Sequence, residues 1–155
     1  MPTTCQQKYY STYASKIFDL ALKLIVKNST NKGIVQNLIE RSLLFANTED
    51  HLQILKSWLN GININGVEVD STLLSQDSRF KIVALIHRSR QVSLEEKNSL
   101  LEAEVTRDKN SDKSIIARNK CRASLPDKDI KKEIWNKIVN EPESESLYNM
   151  SAYMS

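Results

Sequence analysis

The sequence has few of the residues that interrupt regular secondary structure. Three glycines and three prolines occur among its 155 residues, which disfavours an all-β sandwich with many tight turns. So few glycines also exclude a glycine-rich phosphate-binding loop. No apolar run reaches the ~18–20 residues that a membrane-spanning helix needs, and the N-terminal residues lack the pattern of a secretory signal peptide. We therefore expect no membrane association and a cytoplasmic location.

Cysteine and histidine are also scarce, which limits the chemistry that the chain can carry. Cys5 and Cys121 are far apart and form no disulfide framework, so a reducing compartment is expected, and Cys121 is predicted to be a small core residue. A metallopeptidase zinc site needs two histidines one helical turn apart with an acid between them. His51 and His87 are the two histidines, and neither has a second histidine in register.

We therefore predict no catalytic residue, no cofactor-binding residue and no metal ligand in this chain. The alternative is a catalytic site in which Cys121 is the nucleophile and His51 or His87 is its base. No sequence motif favours such a site. His87 is predicted to be structural, near the end of a helix where a positive charge is favourable.

Charges of both signs alternate along the chain. The formal net charge is +3 and charged residues make up 26% of the sequence, so the pattern favours a solvated surface and argues against nucleic-acid binding. The densest basic cluster consists of Lys128, Lys131, Lys132 and Lys137. The acids between these lysines favour weak surface ion pairs, and a phosphate-binding patch is the alternative.

Apolar residues recur at helical spacing through almost the whole chain. About eight helices joined by short turns predict an all-α fold, with antiparallel helix pairs stacked as an irregular α-solenoid of the HEAT or armadillo kind. Residues 1–155 are predicted to form a single helical-repeat domain. The helical spacing is interrupted between Gly61 and Gln76. There, Asn65-Gly66 lies between two runs of alternating apolar residues, which predicts a hairpin at Ile62–Val69.

Several residues predict where helices begin, end and face the core. Gly33 suits a turn or helix C-cap, Asn47–Asp50 provides a capping residue, Ser93–Glu96 has capping-box spacing, and Pro126 suits a helix start. The first helix is predicted from Tyr10 to Lys27. Its apolar stripe consists of Tyr13, Ile17, Leu20 and Leu24.

The two helices nearest the C-terminus are predicted on either side of a break at Glu141-Pro142. Trp135 is predicted to anchor the core beside the apolar stripe of the helix before the break. The last helix has an apolar side made by Leu147, Met150 and Met154, and such uncovered apolar surface predicts self-association.

One segment of the sequence carries a residue pattern that is more informative about the protein family than helical spacing alone. It contains Arg-Asp-Lys-Asn-Ser at Arg107–Ser111 and the stretch Ala117–Pro126, which ends in Cys-Arg-Ala-Ser-Leu-Pro, followed by Lys131 and Trp135. This order resembles the C-terminal helical domain of the zinc aminopeptidases of the aminopeptidase N and puromycin-sensitive type. Three earlier stretches are similar to the same domain, namely Asn47–Asp50 with Leu55–Gly61, Val67–Asp70 and Asp77–Phe80. The last has Phe80 in place of a tryptophan, and extra residues precede it.

The resemblance implies a helical domain that covers the active site of a zinc aminopeptidase and shapes substrate access without catalysing the reaction itself. Zinc is then expected in a catalytic domain outside this chain. The implied partners are that catalytic domain, in cis or in trans, and indirectly its peptide substrates. Residues 1–155 would be a portion of the larger C-terminal domain. The alternatives are an independent helical-repeat scaffold that binds a peptide or protein, and a regulator that caps a full-length aminopeptidase.

Overall fold

The computed structural model describes residues 4–109, 111–140 and 146–154, with the side chains of residues 4–8, 147, 148 and 154 left out. The described part of the chain is mostly helical, so the all-α prediction is confirmed. The described part contains eight α-helices, a short 3₁₀ helix and one hairpin. In order these are α1 (Thr4–Lys27), α2 (Lys32–Ser42), α3 (Glu49–Trp58), β1 (Ile62–Ile64), β2 (Val67–Val69), the 3₁₀ helix (Ser71–Leu73), α4 (Gln76–His87), α5 (Leu94–Arg107), α6 (Asp112–Ser124), α7 (Lys128–Asn140) and α8 (Leu147–Met154).

Side-chain caps fix where four of these helices begin. Asn31, Thr48, Ser93 and Ser111 each accept a hydrogen bond from a backbone N–H two or three residues later. The predicted caps in Asn47–Asp50 and at Ser93 are thereby confirmed, and each satisfies a donor that a helix start leaves unpaired. The prediction for Gly33 is wrong, because this residue lies in the first turn of α2 rather than at a helix end.

The predicted hairpin is confirmed. Strands β1 and β2 pair antiparallel with Ile62 opposite Val69. Asn65 and Gly66 have φ angles of 53° and 83°, the left-handed pair that a type I′ turn requires. The Asn63 Oδ1 accepts the Gly66 N–H at 3.0 Å, which closes the turn.

The chain divides into two compact units, Met1–Ile82 and Val83–Ser155. In the first unit, α1 packs against α2. The face of α1 that is buried consists of Ala14, Phe18, Ala21 and Ile25. The stripe predicted from the sequence is therefore wrong: Tyr13, Ile17 and Leu20 are 61%, 41% and 53% exposed. Helix α1 also begins before Tyr10.

A buried arginine joins two parts of the first unit. Arg79 on α4 is 5% exposed and donates from Nη2 to the carbonyl oxygen of Leu59 at 2.7 Å. This carbonyl follows the last turn of α3, where helical carbonyls lack partners within the helix. The Asp77–Phe80 stretch thus supplies a contact between helices rather than a surface charge.

In the second unit, α6 packs against α5, α7 and α8. Cys121 on α6 and Ile134 on α7 are both buried, and Cys121 is a free cysteine, as predicted for a core residue. Trp135 is 65% exposed, so its prediction as a core anchor is wrong. It follows Ile134 directly, and one residue along a helix rotates the side chain by about 100°.

Some predictions fall on residues that the structure does not describe. They concern the Cys5, Leu147 and Met154 side chains and the break at Glu141-Pro142. Helix α8 is present where the last helix was expected. The prediction of one domain over residues 1–155 stays a prediction.

Candidate functional site

His51 is built into the core of the first unit. Its ring stacks on Phe18 with centroids 4.1 Å apart, and its Nδ1 accepts the Asn47 N–H at 3.4 Å. Its Nε2 lies 3.3 Å from the Ser15 Oγ. Burial lowers the pKa of His51 more than the negative charges of Asp19 and Asp50 raise it. These contacts describe a neutral structural histidine.

His87 is likewise structural, but the reason differs from the one predicted. It is 2% exposed, and its Nδ1 lies 2.8 Å from the Val83 carbonyl oxygen, which makes Nδ1 the donor. Burial is the main cause of its lowered pKa, and the positive charge of Lys97 adds to it. His87 therefore favours the neutral form, and the predicted stabilising charge at the helix end is wrong.

Neither a metal centre nor a thiol nucleophile is assembled in the described part of the chain. Its histidine, cysteine and acidic side chains form no group of three that could hold a metal ion. Burial raises the pKa of the Cys121 thiol to about 12, so it is protonated at neutral pH, whereas a nucleophilic cysteine must be a thiolate. The prediction that this chain supplies no catalytic residue stays untested by these observations.

The lysines of α7 do not act as one cluster. Lys137 lies 3.7 Å from Glu133, and Glu133 also accepts from Arg122 Nη2 at 2.7 Å. Lys131 instead donates to the Ala123 carbonyl oxygen at 3.2 Å, across the joint between α6 and α7. One ion pair of the expected kind, between Lys137 and Glu133, is therefore present in the described part of the chain, while Lys131 has a separate role.

Lys131 lies in a groove formed by side chains of the second unit. The groove has two adjoining cavities of about 290 and 320 Å³. We call the first the basic end, which is lined by Arg88, Lys120, Ala123, Ser124, Lys131, Ala152 and Tyr153. The second is the apolar end, lined by Ala123, Lys131, Ile134, Trp135, Ile138 and Tyr153. Ala123, Lys131 and Tyr153 are common to both ends.

The described residues of the basic end carry positive charge and no acid among them balances it. None of the described residues that line either end is acidic. In the described part of the chain the Arg88 and Lys120 side chains have no hydrogen bond or ion pair. Two acids near Lys131 in the sequence have other partners, since Glu133 pairs with Arg122 and Asp127 caps the start of α7. The groove can therefore accept an anion without first breaking an ion pair.

Two residues of the segment that resembles the aminopeptidase domain, Asp108 and Lys131, lie at joints between helices. In the Arg107–Ser111 turn, Asp108 accepts hydrogen bonds from Ser111 and Ser114. The hydrogen bond from Ser111 is the main reason that the pKa of Asp108 is lowered. Asp108 thus holds the connection from α5 to α6, as Lys131 holds the connection from α6 to α7 through Ala123.

Two residues of the groove could be identified from the sequence. Lys131 and Trp135 were singled out by their motif, whereas no sequence signal assigned Arg88, Lys120 or Tyr153 to a shared site. These three lie after α4, on α6 and on α8, and only tertiary packing brings them together. The spacing of charged residues along one helix cannot predict a groove whose residues come from several helices.

Comparison of this chain with protein-family models, with curated proteins and with solved structures finds no match. No helix of the described residues is long and apolar enough to cross a membrane.

Proposed function

We propose that this chain is a non-catalytic helical domain of a zinc aminopeptidase of the aminopeptidase N and puromycin-sensitive type. In this proposal it covers the active site of a catalytic domain, in cis or in trans, and shapes the access of peptide substrates. The zinc ion belongs to that catalytic domain. A cytoplasmic location is part of the proposal, supported by the free Cys121.

The observation that carries the proposal is the position of the motif residues. Asp108 and Lys131 come from the main segment of the resemblance and Arg79 from an earlier stretch, and each makes a hydrogen bond that joins secondary-structure elements or caps a helix. Residues in such joints help to orient successive helices. Arg79 and Lys131 each satisfy a carbonyl group that a helix end would otherwise leave unpaired. A shared pattern at these positions therefore supports a shared helical architecture.

The alternative is an independent helical scaffold that binds a peptide. The groove of the second unit favours it, since a basic end with no acid among its described lining residues adjoins an apolar end. Peptide binding is common to both proposals. They differ in whether the chain works together with a zinc peptidase.

Immunoprecipitation of the native protein distinguishes the two. An antibody against this chain is applied to extracts of its source cells, and the precipitate is assayed with an aminoacyl arylamide, with and without 1,10-phenanthroline. We expect chelator-sensitive hydrolysis, and a polypeptide in the precipitate that contains His-Glu-x-x-His. Its presence in the same polypeptide as this chain indicates a domain in cis, and in a separate polypeptide a subunit or regulator in trans.

Preimmune antibody is the control for nonspecific capture. A precipitate that contains only a polypeptide near 17.7 kDa, with no hydrolysis, contradicts the aminopeptidase proposal and leaves the independent scaffold. The purified chain alone is expected to hydrolyse nothing and to hold no stoichiometric zinc, since no paired histidine ligands occur in the sequence.

A further inference from the structure

Two of the three glycines in the sequence follow an asparagine, at Asn60-Gly61 and Asn65-Gly66, and these two pairs flank strand β1. An asparagine before a glycine is prone to deamidation, because a residue without a side chain leaves its backbone nitrogen open to the neighbouring amide. We propose that Asn65 is a site of spontaneous deamidation in the folded protein and that the Asn63 side chain controls its rate.

The reaction needs only water as a co-reactant. The Gly66 backbone nitrogen attacks Cγ of Asn65, so a bond forms between these two atoms and the bond from Cγ to Nδ2 breaks. The proton of the Gly66 amide passes to the departing nitrogen, which leaves as ammonia, and a cyclic succinimide remains. Water then opens the ring at either carbonyl and leaves aspartate or isoaspartate at position 65. The net change is hydrolysis of one amide, with no oxidation or reduction.

The nitrogen that must attack is held by Asn63. The Gly66 N–H donates to the Asn63 Oδ1 at 3.0 Å. This hydrogen bond stabilises the protonated amide over the anion that attacks, because a hydrogen bond to the neutral form disfavours ionisation. Ring closure also rotates the peptide plane between Asn65 and Gly66 away from the left-handed turn that these residues form. Deamidation therefore requires the turn to open and the contact with Asn63 to break.

The tip of the hairpin can open without unfolding of the first unit. Asn63, Asn65 and Gly66 are all exposed, and the hydrogen bond from Gly66 to Asn63 is exposed as well. Segments whose hydrogen bonds face solvent open locally at a lower free energy than the core. Asn65 is therefore able to react in the folded protein.

Asn60 provides an internal comparison, since it also precedes a glycine. The Gly61 N–H donates to the carbonyl oxygen of Trp58 at 3.2 Å, and Trp58 is fully buried. The neighbouring Leu59 carbonyl oxygen accepts from the buried Arg79. Core residues thus anchor the turn at Asn60, so we expect it to open less often than the hairpin tip.

The two products affect the hairpin differently. Aspartate tolerates the left-handed conformation as asparagine does, so it preserves the turn. Isoaspartate adds a methylene group to the main chain, which disrupts the pairing of Ile64 with Val67. Ile64 and Val69 are buried, so the isoaspartyl product exposes part of the core and destabilises the first unit.

Incubation of the full 155-residue chain at pH 7.5, in buffer and in concentrated urea, tests the proposal. Peptide mapping by mass spectrometry follows the conversion of amide to acid at Asn60 and at Asn65 separately, and chromatography separates aspartyl from isoaspartyl peptides. In urea we expect similar rates at both asparagines, because each follows a branched aliphatic residue and precedes a glycine. In buffer we expect Asn65 to convert more slowly than in urea, and Asn60 to convert more slowly than Asn65.

Variants then isolate the role of Asn63. Asn63→Ala removes the acceptor and is expected to speed conversion at Asn65 by about two- to tenfold, the range that one net hydrogen bond represents. Asn63→Ser keeps a weaker acceptor and should give an intermediate rate. The rate at Asn60 should not change in either variant, which separates loss of this contact from a general loss of stability.

The matched control is Asn37→Ala. Asn37 is exposed, and its side chain donates to the Gly33 carbonyl oxygen within α2, so its loss should leave the rates at Asn60 and Asn65 unchanged. Equal rates at Asn65 in buffer and in urea would show that the turn gives no protection. Faster conversion at Asn60 than at Asn65 in buffer would contradict the ranking of the two turns.

The control by Asn63 is overturned if Asn63→Ala leaves the rate at Asn65 unchanged, or if it accelerates Asn60 and Asn65 equally. If Asn65 is still unconverted in buffer when the chain in urea is fully converted, the folded protein is not modified at this site.

Discussion

The imidazole of His51 stacks on the ring of Phe18, with centroids 4.1 Å apart and planes inclined by 20°. The Asn47 N–H donates to His51 Nδ1, so that nitrogen keeps its lone pair in the folded state. Protonation of Nδ1 would remove this hydrogen bond and place a charge against an aromatic ring in the core. The contact therefore links the packing of α1 on α3 to the charge state of one histidine.

The stability of the chain is expected to fall as the pH decreases below about 6.5, the ordinary histidine pKa. The pKa of His51 and that of His87 are both lowered in the folded state, chiefly by burial. Around and below pH 6.5 the unfolded chain therefore binds more protons than the folded chain. The free energy of unfolding then rises as the pH rises toward 6.5, and the contribution of the neutral histidines is lost as the pH falls. Urea unfolding at pH 7.5 and at pH 5.5 measures the difference.

His51→Gln and His87→Gln are each expected to reduce this difference between the two pH values. Carboxylates do not interfere, because lowered pKa values such as those of Glu102 and Asp108 affect stability only near and below about pH 4. Equal stability of the parent chain at both pH values would mean that the two histidines titrate normally.

The two tryptophans are expected to respond oppositely to truncation. Trp58 is fully buried and Trp135 is 65% exposed. Trp58→Ala should lower the free energy of unfolding by ~3–5 kcal/mol, as for other buried aromatics, and Trp135→Ala by less than about 1 kcal/mol. Thermal melts of both variants check the pair. A large loss in the Trp135 variant would place that side chain in the core after all.

Trp135 was predicted to be buried but is exposed, which shows that helical periodicity alone does not determine which apolar residue of a helix faces the core. The apolar residues of α7 include Ile134 and Trp135 at adjacent positions, and both cannot face the same side of a helix. The pattern identifies the helix, but the neighbouring elements determine which residue is buried. The same is true of α1, where Phe18 and Tyr13 belong to different apolar stripes and only packing against α2 decides between them.

Local signals were predicted more accurately because they depend on few neighbours. The turn at Asn65-Gly66 and the cap at Ser93 are set by the backbone preferences and side-chain lengths of single residues. The groove depends on residues from α6, α7 and α8, so only its motif residues could be found from the sequence.

Two glycine substitutions test the assigned backbone directly. Gly66 has φ of 83°, so Gly66→Ala should destabilise the hairpin by roughly 1–2 kcal/mol. Gly33 lies in the first turn of α2, and an added Cβ would meet only Asn31 Oδ1, at 3.8 Å. Gly33→Ala should therefore stabilise the chain by ~0.4–1 kcal/mol. Chemical denaturation compares the two, and a shift of the same sign in both would contradict the turn assignment.

An uncovered apolar face on α1 predicts that the chain self-associates. The face consists of Tyr10, Tyr13, Ile17 and Leu20, all between 41% and 67% exposed. Their spacing of three and four residues places them on one side of the helix. The aliphatic stem of Lys16 borders this face, with its Nζ 5.9 Å from the Tyr13 ring centroid.

Replacing both Ile17 and Leu20 with glutamine should weaken self-association at least about tenfold, because each side chain contributes ~1.5–3 kcal/mol when fully buried and part of that at a contact. Light scattering across a concentration series measures the change. The matched control replaces Leu94 and Ile115, which are 58% and 57% exposed on α5 and α6, with glutamine. Isolated exposed apolar residues of this kind need no partner, so the control should associate like the parent chain. If the parent is monomeric throughout the series, or if both double variants dissociate equally, the α1 face is not the contact surface.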